Sequence, residues 1–292
     1  MKTLRQILLL LVCIAVTACT TESPQEPSMV LEGWIDAGGY PVVLLHKTYV
    51  MDRVNYTKKT LAEVIDEQLI MWGKVTVSDG ENEQILTGRM DTMYMPPYTY
   101  SSINIIGEVG KTYTVTATYK NLSATATTTI PPKATLDSLR VYTDNFGDRH
   151  AVAFVNRDNQ DEAKYAIFLR YSDDKQFKLC PLGVFDSHTA QDGPMEIMVY
   201  NPLANDTTKA YDPLPNFGDD TMHTYQIKVA RLDDESFRFW EGYDRMNSTK
   251  GIAFVPVFEN IEGNVQGGVG NFTGMGSSVY SFSTRKDTTY CY

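Results

Sequence analysis

Across residues 111–130 the chain alternates with a period of two. Tyr113, Val115, Ala117 and Tyr119 take one side, and Thr112, Thr114, Thr116 and Thr118 the other, as in a half-buried strand. Lys120-Asn121 interrupts the pattern, and Leu122, Ala124, Ala126, Thr128 and Ile130 resume it. The segment is therefore expected to be a β-hairpin built on β-branched residues. Shorter apolar runs predict strands at 30–35, 41–45, 72–77 and 84–87, separated by Gly38-Gly39 and Asp79-Gly80. Together they predict a small antiparallel sandwich. Pro131-Pro132 follows it, and because neither residue can donate to a strand ladder, the boundary between two independently folding units is expected there.

Further strands are predicted at 149–155, 164–171, 195–200 and 224–231, with long polar loops between them. A helix is predicted over 235–246. Asp233 and Asp234 stand at its positive end, and Phe237, Phe239, Trp240 and Tyr243 recur three and four apart. Core packing as a cover on the second sheet is the expected use of that stripe. The fold class is thus mostly β, with two β-sandwich domains of immunoglobulin-like or transthyretin-like form, the second carrying one covering helix. The organisation expected is a leader over 1–18, a tether over 19–28, an N-terminal sandwich over 29–132 and a β-rich domain over 133–292.

The leader has its own logic. Lys2 and Arg5 precede an apolar stretch over 7–16, and Val16-Thr17-Ala18-Cys19 has the form of a lipobox. The apolar stretch is far short of the roughly 20 residues that span a bilayer, so export, cleavage and lipidation at Cys19 are expected. Thr20-Thr21-Glu22-Ser23 lacks the aspartate that retains lipoproteins on an inner membrane, which favours the outer membrane, and the early Glu22 favours its exterior face. Pro24 and Pro27 make the following segment an extended tether. The formal net charge of −10 grows more negative once Lys2 and Arg5 leave, which argues against a nucleic-acid partner. Of 4 cysteines, Cys13 leaves with the leader and Cys19 is acylated. Cys180 and Cys291 can form one disulfide or remain two thiols.

A search for catalytic chemistry returns little. There is no Gly-x-Ser-x-Gly elbow, His-Glu-x-x-His, Walker loop or Cys-x-x-Cys pair. His46, His150, His188 and His223 are scattered, Asp173-Asp174 and Asp219-Asp220 read as loop charges, and the oxygen-rich run over 158–162 lacks the order of a calcium loop. No metal, cofactor or enzymatic activity is expected. Two features can touch a ligand. Tyr94, Tyr98 and Tyr100 surround the rigid Pro96-Pro97 step, where rings can grip a glycan, a peptide or a partner at low entropic cost, or pack on their own sandwich. Asn264, Gly267, Gly268, Gly270 and Phe272 form a glycine-rich segment without the Gly-Lys-Ser/Thr ending of a phosphate loop. It reads as a bulged strand where backbones approach closely.

That last segment resembles the closing motif of the family catalogued as domain of unknown function 4249, lipoproteins of Gram-negative bacteria. Val30-Leu31-Glu32-Gly33-Trp34-Ile35, Val75-Thr76-Val77-Ser78-Asp79-Gly80, Gly110-Lys111-Thr112-Tyr113-Thr114-Val115 and Ile130-Pro131-Pro132 fit in order. The resemblance implies a cell-envelope partner of a TonB-dependent outer-membrane transporter and supplies no catalytic residue. The expected function is a lipid-anchored binding component of such an uptake system. A structural or adhesive surface subunit and a glycan-acting hydrolase are the alternatives.

Overall fold

A computed structural model describes residues 27–48, 63, 67–94, 96–147, 149–157, 163–172, 176–187, 193–200, 224–249, 261–284 and 286–292. Its organising element is β16 (Gly268–Ser283). The first half of β16 runs parallel to β1 (Met29–Asp36), pairing Met29 with Gly268 and Asp36 with Met275. The second half runs antiparallel to β14 (Thr224–Leu232), pairing Gly276 with Arg231 and Ser283 with Thr224. β2 (Val42–Lys47), β6 (Tyr98–Ser101) and β5 (Thr87–Met90) extend the sheet beyond β1, while β11 (Lys164–Tyr171) and β12 (Lys178–Asp186) extend it beyond β14. Both halves of the chain therefore share one eight-stranded sheet.

Two smaller sheets cover it side by side. The five-stranded sheet comprises β15 (Val265–Gln266), β8 (Leu122–Thr129), β7 (Thr112–Tyr119), β3 (Lys74–Ser78) and β4 (Glu83–Ile85). It shares with β1 and β2 a core that includes Leu31, Val43, Val75, Tyr113, Val115 and Phe272. The four-stranded sheet comprises β13 (Met195–Tyr200), β10 (Arg149–Val155), β9 (Leu136–Thr143) and β17 (Thr288–Cys291). Its core includes Leu139, Ala153, Ile167, Ile227, Val229 and Phe282. Because alternate residues of a strand share a face, Phe272 and Phe282 lie on the same side of β16, one in each core.

Between those two rings the connection from β8 to β9 crosses the strand. A Cβ on Gly276 would lie 2.3 Å from the Pro132 carbonyl oxygen and 2.4 Å from that of Pro131, and one on Gly274 2.8 Å from Thr128 Oγ1. Ile130 packs in the first core, and Ala134, Leu136 and Leu139 in the second. However, residues 29–132 do not contain the whole of the first core, since Phe272 lies in it and Val265 packs against it. The long-range pairing of β1 with β16 binds the units that the Pro-Pro step separates in sequence.

The opposite face of the eight-stranded sheet carries α1 (Asp234–Thr249). Phe237 and Trp240 pack there with Ala166, Phe168, Ala230 and Met275. The helix begins where Asp233 Oδ1 accepts the Ser236 N–H at 2.8 Å, an N-cap that also favours the acidic first turn. Asp233 Oδ2 accepts the Thr128 hydroxyl at 2.7 Å, and Thr128 Oγ1 in turn accepts the Gly274 N–H at 2.8 Å. The cap thus ties the helix to the crossing point. Cys180 is buried and Cys291 exposed, both as free thiols. No helix among the described residues is long and apolar enough to cross a membrane.

Candidate functional site

Alternation along the central strands gives the sheet a second chemistry on its helix-side face. Leu31 and Ile35 of β1 point into the first core, so Trp34 and Asp36 point the other way. Lys228 of β14 and Ser277 of β16 meet Asp36 there. Lys228 is only 5% exposed, and its Nζ donates to Asp36 Oδ1 and Oδ2 at 3.2 and 3.3 Å. The Ser277 hydroxyl donates to Asp36 Oδ1 at 2.7 Å. The ring faces of Phe168 and Phe177 lie 5.0 and 5.1 Å from the same ammonium, so the buried cation is held by a carboxylate and two π faces.

Around this pair lies a half-buried rim. Trp34 and Tyr94 sit with ring centroids 5.8 Å apart at 39°. The Arg170 guanidinium stacks 4.3 Å over Phe177 and donates through Nε and NH2 to Gln226 Oε1 at 2.9 and 2.7 Å. Burial pushes the Tyr94 phenol above its ordinary range. Asp91 and Asp36 add to that shift and Arg89 and Arg170 oppose it, so Tyr94 shares an electrostatic environment with the residues of the rim. Such a shelf can stack a sugar ring or a planar side chain on Trp34 and Tyr94, with Phe177 and the Arg170–Gln226 pair beside it.

The three tyrosines singled out in the sequence separate. Tyr100 is 2% and Tyr98 8% exposed, and their rings meet edge to face at 5.3 Å. Tyr100 Oη donates to the Ile70 carbonyl at 2.7 Å and accepts the Gly73 N–H at 3.0 Å. Both belong to the first core, because the segment after Pro97 is strand β6 and not a loop. Only Tyr94 remains as a contact candidate. It precedes the strand in a turn where its N–H bonds the Asp91 carbonyl at 3.2 Å.

The glycine-rich motif is taken up by backbone geometry. Asn264 Nδ2 donates to the carbonyls of Thr127 (3.0 Å) and Phe272 (2.9 Å), and its Oδ1 accepts the Phe272 N–H (2.8 Å). Gly270 adopts φ +118° with the Leu31 carbonyl oxygen 2.1 Å from where a Cβ would stand, and Gly267 adopts φ +76° against Ser123. Gly268 abuts the Met29 carbonyl in the same way, at 2.4 Å, and Phe272 is fully buried. These residues let β15 and β16 enter between β1 and β8.

The family described as a domain of unknown function (DUF4249) matches residues 16–281. The chain belongs to that family. No curated protein matches it. In this DUF4249 chain the matched region holds the motif and the shelf together.

The remaining candidates stay apart. His46 Nε2 lies 4.0 Å from Glu32, and His150 Nε2 is 2.9 Å from Asp144 with its ring stacked on Tyr142. Burial pushes the Cys180 thiol upward, away from nucleophilic use. No cluster of metal-ligating side chains occurs among the described residues. Cys19, the run over 158–162, Asp173-Asp174, His188, Asp219-Asp220 and His223 lie outside the described residues. Sequence reasoning passed over Trp34, Asp36, Lys228, Phe177 and Arg170. One signal was available: Lys228 stands inside a strand between Ile227 and Val229, which are fully buried on either side.

Proposed function

We propose that this chain is an outer-membrane protein, lipid-anchored through Cys19 and facing the exterior, that binds a ligand or a transporter rather than converting a substrate. On this reading it is an accessory component of a TonB-dependent uptake system. The observation that carries the binding role is the shelf of Trp34, Tyr94 and Phe177 set around the Asp36–Lys228 pair. Half-buried rings held against a sheet, with charges already fixed, lose little entropy when a partner docks. The lipobox Val16-Thr17-Ala18-Cys19 supports the anchored location.

Two measurements test it. Cys19→Ser should abolish labelling by an alkyne fatty acid and release the protein from membranes; persistence of both would remove the anchor. Tyr94→Ala, in the lipoprotein purified from solubilised outer membrane, should reduce recovery of a co-purifying transporter while leaving the melting profile close to wild type. Undiminished recovery would remove the shelf from the binding role. A structural or adhesive subunit is the second reading, favoured by the open edges of the eight-stranded sheet at β5 and β12. Native mass spectrometry of the Cys19→Ser chain would reveal it as an assembling species.

A further inference from the structure

The end of the first sandwich from which the tether leaves gathers lysines around an exposed tryptophan. Ser28 and Thr48 hold each other there, with Ser28 N–H on Thr48 Oγ1 and Thr48 N–H on the Ser28 carbonyl, each at 2.9 Å. Lys47 pairs with Met29 at the start of β1. The segment before β3 arrives beside them, since the Ile70 N–H bonds the Leu45 carbonyl at 3.2 Å and Leu69 bridges to His46. The β7–β8 turn reaches the same end, because Ser123 and Ala124 lie against Gly267 and Gly268, and Gly268 abuts Met29.

Met71 and Trp72 are 38% and 82% exposed at this end. Lys74 and Lys120 are exposed beside them and Lys47 is half-buried. The Lys120 ammonium lies 5.2 Å over the Tyr119 ring. Of the acidic side chains nearby, Glu32 is held 4.0 Å from His46, and Glu67 is exposed. Of the 3 tryptophans, the other two, Trp34 on the sheet and Trp240 on α1, are partly buried where helix and sheet pack together.

We infer that this end is a membrane-contact face, with Trp72 and Met71 seated among lipid headgroups and Lys74, Lys120 and Lys47 over their phosphates. The inference rests on the lipid-anchored reading. An anchor at Cys19 leaves a tether ending at Met29, and at about 3.3–3.6 Å per extended residue it keeps this end within roughly 35 Å of the bilayer. Tryptophan is the side chain that favours the water–hydrocarbon boundary, and lysines are drawn to an anionic lipid surface within a Debye length. On a chain with net charge −10, a lysine-bearing end beside the tether is the part that can settle on such a surface.

The test uses the lipoprotein in phosphatidylethanolamine–phosphatidylglycerol vesicles with brominated acyl chains. Wild-type tryptophan emission should be quenched, and the Trp72→Phe protein, which emits only from Trp34 and Trp240, should escape quenching. Equal quenching of the two proteins, or none in the wild type, overturns the inference. In parallel, the Cys19→Ser chain should partition onto phosphatidylglycerol vesicles at low salt, and Lys74→Glu with Lys120→Glu should weaken that about tenfold. Unchanged partitioning would overturn the role of the lysines. Fatty-acid labelling decides the anchor independently. An unlabelled Cys19 with Trp72 quenched by added vesicles sinks the anchor and keeps the face, and a labelled chain with unquenched Trp72 does the reverse.

Discussion

Asp36 and Lys228 stand 192 residues apart in the chain, yet the Lys228 ammonium reaches both oxygens of the Asp36 carboxylate, at 3.2 and 3.3 Å. The pair spans β16, with Ser277 of that strand bonded to the same carboxylate. It fastens the first strand of one sandwich to a central strand of the other.

Replacing Lys228 by Met should therefore destabilise the whole molecule. It leaves Asp36 with Ser277 alone, and breaking a buried pair costs about 3–5 kcal/mol. Asp36 keeps 24% side-chain exposure, so the lower end of that range is expected. Lys228→Met combined with Asp36→Asn should lose less than Lys228→Met alone. Urea denaturation of the three proteins measures the coupling, and strict additivity would show that the pair does not act as a unit.

Gly276→Ala tests the crossing. The new Cβ would meet two proline carbonyl oxygens, at 2.3 and 2.4 Å, a backbone clash expected to cost about 1–3 kcal/mol. Gly80→Ala is the comparison. Its φ of +91° carries strain, but nothing lies within 4 Å of its Cβ position, so only the roughly 1–2 kcal/mol of left-handed conformation should be lost. The informative readout is whether Gly276→Ala lowers the melting of both sandwiches together.

Tyr100→Phe should cost about 1–3 kcal/mol, because it strands the Ile70 carbonyl and the Gly73 N–H in the first core. Tyr94→Ala should cost far less, since its ring lies half-buried on the rim. Thermal melts of the two variants separate the core tyrosine from the contact candidate.

Asp244 supplies a pH dependence. Burial raises its carboxyl to about 6 against N–H groups of Leu182 and Val184 that pull it down. The folded state thus holds this proton more tightly than the unfolded chain. The contribution is fully present below the ordinary value of 3.8 and is lost as pH rises towards 6. Asp244→Asn should remove that slope, matching wild type near pH 4 and melting higher at pH 7. A variant that melts lower at pH 7 would mean that the carboxylate's hydrogen bonds outweigh its desolvation.

Strands that alternate cleanly were legible in the chain. The hairpin of β7 and β8, and β10, β11 and β14, lie within a residue of the pattern, because each has one or two faces in contact with a core. The helix too announced itself through Asp233 and its ring spacing. What alternation cannot carry is partnership. Nothing local in Val30 or Leu31 says that β1 pairs with residues near 270, and the glycines of β16 hide a sixteen-residue strand by removing the side chains that would mark its faces. The shelf escaped for the same reason, since Trp34, Tyr94, Phe177 and Lys228 become neighbours only after that pairing forms.

The partnership of β1 with β16 also sets an order of events. Asp36 is synthesised 241 residues before Ser277, the side chain that bonds it. Until then the growing chain carries an unfinished first core and an unpaired strand edge, open to mispairing or capture by a chaperone. Contacts so far apart in sequence make folding slow. A ribosome that stops early, or a protease that trims the last strands, would disable the opening sandwich as surely as the closing one.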